Sequence, residues 1–164
     1  MAVGYSQVKR KAEDAMAVVI TDRLGQELSG ITLYKGYSGA DLATPRIEIL
    51  AQTADPEDVG GELPTGGSLS GNWNVTIQVT LIQHYADDRS IRAQRDDRLF
   101  DILMQDNLVE LLNEADVDHF KVWDRNPNGG AGWTPGAVES IINAMQELGE
   151  QMTGTMYCCP GVEL

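Results

Sequence analysis

The clearest periodicity in the chain is an alternation. Between residues 73 and 81, Trp73, Val75, Ile77, Val79 and Leu81 are separated one by one by Asn74, Thr76, Gln78 and Thr80. Successive strand side chains point to opposite faces, so the pattern predicts a long strand with one apolar face and one polar face. An antiparallel sheet with helices on one side and an open second side reads this way, and the open face is a candidate contact surface. A shorter alternation at 46–51 sets Ile47, Ile49 and Ala51 against Arg46, Glu48 and Leu50, predicting a half-buried strand. A third, short strand is expected at 31–35, after Gly30.

Helical spacing appears elsewhere. Val8, Ala12, Ala15 and Val19, with Met16 and Ile20 beside them, predict a helix over residues 7–24, capped by Ser6 and ended by Gly25. Lys9, Arg10 and Lys11 fall near its start, where the helix dipole disfavours cations; a contact or solvation role suits them better than helix stability. Asp87 or Asp88 caps a second helix running to about residue 114 through Ile91, Leu99, Ile102, Leu103, Val109 and Leu112, with a bend at Asp106 and Asn107. Phe120 and Val122, alternating with His119, Lys121 and Trp123, predict another strand before the turn-rich residues 126–130.

The C-terminal region supports two readings. Thr134 and Pro135 resemble a cap and first helical residue, and Val138, Ile141, Ile142, Met145 and Leu148 fit a helix over 135–148 ended by Gly149. Residues 141–145 read equally as a strand pairing back on 152–159, itself a credible terminal strand before Pro160. The helix is the preferred expectation. Residues 55–71 hold prolines, glycines and the acids Asp55, Glu57, Asp58 and Glu62 without apolar period, which predicts a long mobile loop. The fold class expected is α+β: a largely antiparallel sheet with helices packed on one face, in a single domain of residues 1–164.

Composition agrees with a folded chain, 42% of its 164 residues being hydrophobic and 23% charged. The net charge of −13 opposes binding to nucleic-acid phosphate. The longest apolar run, residues 15–20, is too short to span a bilayer, and residues 1–24 lack the pattern of a secretory leader, so a cytosolic chain is expected. The only cysteines, Cys158 and Cys159, are neighbours; packed, reduced thiols are expected rather than a disulfide framework or zinc site.

Candidate chemistry is sparse. Gly129, Gly130 and Gly132 between a strand and an expected helix lack the residues that complete a phosphate loop, so a flexible turn is the simpler reading. Asp87 with Asp88 and Asp96 with Asp97 are adjacent pairs whose carboxylates diverge by about 100° on a helix, which presents one ligand per pair to any cation. His84 and His119 belong to no catalytic spacing, and no serine sits in a nucleophile elbow. No catalytic residue, metal site or cofactor is expected. The unusual charge feature is the series Arg89, Arg92, Arg95 and Arg98. Local pairing of Asp88 with Arg92, Arg92 with Asp96 and Arg98 with Asp101 is one explanation. The other is a docking edge: four candidate intersubunit contacts that meet an acidic neighbour in a head-to-tail homo-oligomer.

The order of elements now matters: an N-terminal helix, the strand Arg46-Ile47-Glu48-Ile49, a loop, the strand from Asn72 through Val79, then Asp87-Asp88 opening a long helix. This arrangement resembles the tail-terminator and neck proteins that join head to tail in long-tailed bacteriophages. The resemblance covers roughly residues 7–125 and rests on arrangement, without an invariant motif; the segment after Asn126 fits no part of it. It implies a virion structural protein, not an enzyme, assembled as a hexameric ring that caps the tail tube. The implied partners are the tail tube protein and a neck or connector protein, with DNA passing through unbound and no membrane involved. The implied place is the tail and neck of the virion, and the host cytoplasm during assembly. In such a ring Asp55, Glu57, Asp58 and Glu62 would line the channel and repel phosphate. The competing expectations are another neck or head-closure protein, a small phosphate-handling enzyme using the Gly129 loop or the Asp87–Asp97 acids, and an acidic adaptor binding through its sheet face.

Overall fold

The computed structural model describes residues 5–36, 44–56, 73–104, 108–115, 121–122, 134–136 and 147–159. In chain order these form α1 (Tyr5–Arg23), a 3₁₀ turn (Gln26–Leu28), β1 (Thr32–Lys35), β2 (Arg46–Pro56), β3 (Trp73–His84), α2 (Arg89–Met104), α3 (Leu108–Ala115), β4 (Lys121–Val122), β5 (Thr134–Gly136) and β6 (Glu147–Cys159). The class is α+β. One six-stranded sheet runs β1-β2-β3-β6-β4, with β5 also paired to β6. The β1–β2 pair is parallel and the other pairs are antiparallel.

The alternation in β3 is fully expressed. From Trp73 to Gln83 every second residue is buried and those between are half-buried. The apolar row extends across its neighbours by register. Val79 stands between Ile49 and Met152, Val75 between Ala54 and Met156, and Ile77 between Ala51 and Gly154. Onto this row α1 lowers Val8, Ala12, Ala15, Met16, Val19 and Ile20, while α2 adds Leu99, Ile102 and Leu103 and α3 adds Leu108 and Leu112. Each fully buried Val, Leu, Ile or Met side chain contributes about 1.5–3 kcal/mol relative to exposure.

Several sequence expectations change. The first helix starts at Tyr5, so Ser6 lies inside it and not at its cap. Gly25 has φ −89°, an extended conformation at the head of the 3₁₀ turn, instead of the left-handed conformation of a helix-ending glycine. Arg46 and Glu48 alternate as expected but are buried, because Arg46 Nε donates to Glu48 Oε2 at 2.7 Å and the pair neutralises itself. β2 continues to Pro56, since its partner β3 offers hydrogen bonds as far as Trp73; the expected loop at 55–71 therefore loses its first two residues, and 57–71 lie outside the described residues. The long second helix is two helices, and the bend at Asp106 and Asn107 lies outside the described residues.

The largest correction is C-terminal. The helix expected at 135–148 is contradicted at both ends, where Thr134–Gly136 and Glu147–Cys159 are strands. Thr134-Pro135-Gly136 pairs with Thr153-Met152-Gln151, and β6 pairs with β3 along twelve consecutive residues from His84↔Glu147 to Trp73↔Cys158. A cap-like dipeptide is a weak local preference beside a ladder of that length. Residues 137–146 lie outside the described residues, and with them the rival strand at 141–145.

Candidate functional site

The sheet is two-sided in a way that defines its surfaces. Its core row meets the described helices. Its other row includes Asn74, Thr76, Gln78 and Thr80 on β3, flanked by Gln151, Thr153 and Thr155 on β6, all half-buried, with Leu50 exposed on β2 and the buried Arg46–Glu48 pair beside Thr80. Registers Thr80↔Gln151, Gln78↔Thr153 and Thr76↔Thr155 place these side chains in facing pairs. Gln151 Nε2 donates to Thr153 Oγ1 at 3.2 Å. Hydroxyls and carboxamides of this kind offer donors and acceptors without titrating near neutral pH, so the face suits contact more than acid–base work.

The arginine series is only partly a free edge. Asp88 caps α2, its Oδ1 accepting from Ser90 N at 2.8 Å and Ser90 Oγ at 2.6 Å, and these bonds hold its carboxyl below the usual range. Arg89 is exposed. Arg92 Nε donates to the Asp87 carbonyl at 3.1 Å, and its guanidinium lies 5.7 Å from the centre of the exposed Tyr85 ring. Arg95 Nη1 donates to Asp87 Oδ2 at 3.0 Å and to Gln83 Oε1 at 3.1 Å. Arg98 Nη2 donates to the Arg23 carbonyl at 2.7 Å, satisfying an end group of α1. These bonds reach the turn before α2, β3 and the end of α1, while Arg92 also acts electrostatically on Asp88 and Asp96, the partners expected along the helix. Three of the four arginines thus fasten α2 to its own subunit.

Gln83 joins this network and was missed, because the expected strand stopped at Leu81. Continuing the same alternation one step lands on it. Its side chain is buried, and Nε2 donates to Asp96 Oδ1 at 3.2 Å and to the Arg92 carbonyl at 3.3 Å. Asp96 is pushed up to about 6, first by burial and then by the charges of Glu150 on β6 and Asp97; Arg92 and the Gln83 bond oppose the rise. Asp97 is exposed while Asp96 faces Gln83, and Asp87 and Asp88 accept from different partners, so neither adjacent pair converges on one site.

A second buried acid also escaped notice. Glu13 on α1 accepts from Ala51 N at 2.9 Å, where the β2–β3 register slips between Ala51 and Thr53. Burial raises its pKa against the lowering effect of that bond. In the sequence Glu13 is one acid among many, and a partner 38 positions away leaves no local signal.

Between the C-terminal ends of α1 and α3 lies a cavity of 390 Å³ lined by Val19, Asp22, Arg23, Leu111, Glu114 and Ala115. The remaining candidates are less informative. Asp55 sits in β2 opposite Asn74, while Glu57, Asp58 and Glu62 lie outside the described residues. His84 ends β3, exposed; His119 and the glycines at 129, 130 and 132 lie outside the described residues. The backbone at Cys158 and Cys159 belongs to β6 and pairs with β4. Among the described residues no cluster of three or more His, Cys, Asp or Glu is placed to hold a metal ion, and no helix is long and apolar enough to cross a membrane. Compared with known proteins, the chain matches no family model and no curated sequence.

Proposed function

We propose that the protein is a structural subunit of a tailed-phage particle, a tail terminator whose ring closes the tail tube and joins it to the neck. The observation that carries this reading is the division of the sheet into a helix-covered apolar face and a face of mostly Thr, Gln and Asn side chains in register, with the Arg46–Glu48 pair beside Thr80. A long face of this kind offers many hydrogen-bonding positions to another protein. The element order that resembles the tail-terminator family supports the same reading. The open face is laid against the tail tube protein, and the strongly acidic chain, at net −13, lets DNA pass without sticking. Its place is then the tail–neck junction of the virion, reached from the host cytoplasm during assembly.

The test is co-sedimentation with purified tail tubes. Gln78→Glu with Thr155→Glu puts charge on the middle of the open face without touching the apolar row. The expected result is loss of tube binding with the melting temperature nearly unchanged. Undiminished binding removes the open face from the proposal. Phosphate release from phosphorylated substrates by the purified protein would favour a small enzyme in its place.

A further inference from the structure

The two halves of α2 are held to the rest of the subunit by different forces. Leu99, Ile102 and Leu103, all in the second half, are buried in the core. No residue from Arg89 to Arg98 is buried, and the apolar Ile91 and Ala93 of the first half are exposed. Among the described residues the first half is held by hydrogen bonds centred on buried Gln83. Its Nε2 donates to the Arg92 carbonyl at 3.3 Å and to Asp96 Oδ1 at 3.2 Å. Its Oε1 accepts from Arg95 Nη1 at 3.1 Å, which also donates to Asp87 Oδ2. Arg92 Nε adds its bond to the Asp87 carbonyl. Arg98 marks the boundary between the halves. Its Nη2 donates to the Arg23 carbonyl at 2.7 Å, and it lies close over the turn after α1, where a Cβ added to Gly25 would stand 3.0 Å from Arg98 Nε. A hydrogen bond exchanged for one to water changes the free energy far less than exposure of a buried Leu or Ile. Arg95 Nε is buried without a hydrogen bond in the closed arrangement, a cost that opening removes.

We infer that residues 89–97 swing off the sheet as one unit, hinged at Arg98, while residues 99–104 stay packed, with Asp96 as the proton-sensitive catch. This latch is a property of the single subunit and stands or falls apart from the ring reading. Segments with little apolar burial and solvent-facing backbone are the ones that open locally. Asp96 faces Gln83 from β3 and Glu150 from β6, with Arg92 and Asp97 beside it on α2; Arg95 and Asp87 reach it through Gln83. Burial and the Glu150 charge push it up to about 6 in the closed form, whereas an opened Asp96 returns toward the ordinary 3.8. The closed form therefore binds the proton more tightly. Its advantage is complete below about pH 4 and is lost as pH rises through about 6. Opening also frees Arg92 and Arg95 from Asp87 and Gln83, so guanidiniums that the closed form engages within the subunit face solvent in the open one.

Native-state hydrogen exchange of the full chain, read by NMR in rising sub-denaturing urea at about pH 5 and about pH 7.5, tests this. The amides of Ala93, Gln94, Arg95 and Asp96 share one protection factor, at least about a hundredfold below those of Ile102 and Leu103. It is nearly independent of urea, as expected of an opening that exposes little surface. At the higher pH it is about three- to tenfold lower than at the lower pH, and Asp96→Asn removes that step. Ile102→Val lowers protection at Leu103 about fivefold and leaves residues 93–96 unchanged, because the open form keeps position 102 packed. Equal protection and equal urea dependence in the two halves of α2 overturns the inference, as does a fall at residues 93–96 in Ile102→Val. Protection at 93–96 that is the same at both pH values, or a pH step that survives in Asp96→Asn, overturns the assignment of the catch to Asp96.

Discussion

Replacing Asp96 by Asn should stabilise the protein at neutral pH, which is unusual for a half-buried, hydrogen-bonded side chain. Asp96 has a model-compound pKa of 3.8 and is pushed up to about 6 in the fold, chiefly by burial and by the charge of Glu150. The folded value lies above the unfolded one, so the folded state holds a proton that the unfolded chain has released. The stabilisation from that proton is complete below pH 4 and is lost as pH rises through about 6. A shift of about two units corresponds to ~3 kcal/mol, and partial solvent screening brings the expected effect to about 1–2 kcal/mol. Asparagine keeps the oxygen that accepts from Gln83 Nε2 and has no charge to desolvate. Urea unfolding at about pH 4.5 and about pH 7.5 reads the difference. The wild type should lose stability relative to the variant between those values, leaving Asp96→Asn ahead at the higher pH. A variant less stable than wild type at pH 7.5, or an unchanged gap between the two pH values, would refute the reasoning.

Other predictions follow from the same contacts. Glu13→Ala leaves the Ala51 N–H without its acceptor and should cost about 1–3 kcal/mol in chemical denaturation, whereas Glu13→Gln retains an acceptor oxygen and should cost less. Gly30 and Gly36 both have φ +80°, so alanine at either should destabilise by roughly 1 kcal/mol; Gly36→Ala adds only an ordinary 3.5 Å contact with Glu13 Oε1, and comparable melting shifts are expected. Ile77→Ala empties a fully buried site in the central strand and should cost about 2–5 kcal/mol, while Thr76→Ala on the opposite face should stay within about 1 kcal/mol by the same urea titration.

How legible the fold was depended on whether a signal was local. The alternation from Trp73 to Leu81 marked β3 and its apolar face because both features are properties of one strand. Asp88 marked the start of α2 because a cap needs only its own neighbours, here Ser90. The ends of the expected helix misled because their local preferences favoured a helix, while the strands at Thr134–Gly136 and Glu147–Gly149 were set by β3 and β6 pairing across the sheet. Arg92 and Arg98 had acids at helical spacing in sequence, yet Arg92 donates to the Asp87 carbonyl before α2 and Arg98 to the Arg23 carbonyl at the end of α1. Glu13 and Ala51 show the same limit: a buried carboxylate seated at a register shift has no sequence pattern to announce it. Gln83 is the contrary case, since the alternation that predicted β3 already pointed to its burial and only the boundary was drawn too early.

The central claim is that the chain closes phage tail tubes as a ring, and it is tested most directly by negative-stain electron microscopy of the pure protein mixed with purified tail tubes. The account predicts six-fold rings seated at one end of otherwise open tubes. Bare tube ends beside a strictly monomeric protein would contradict it.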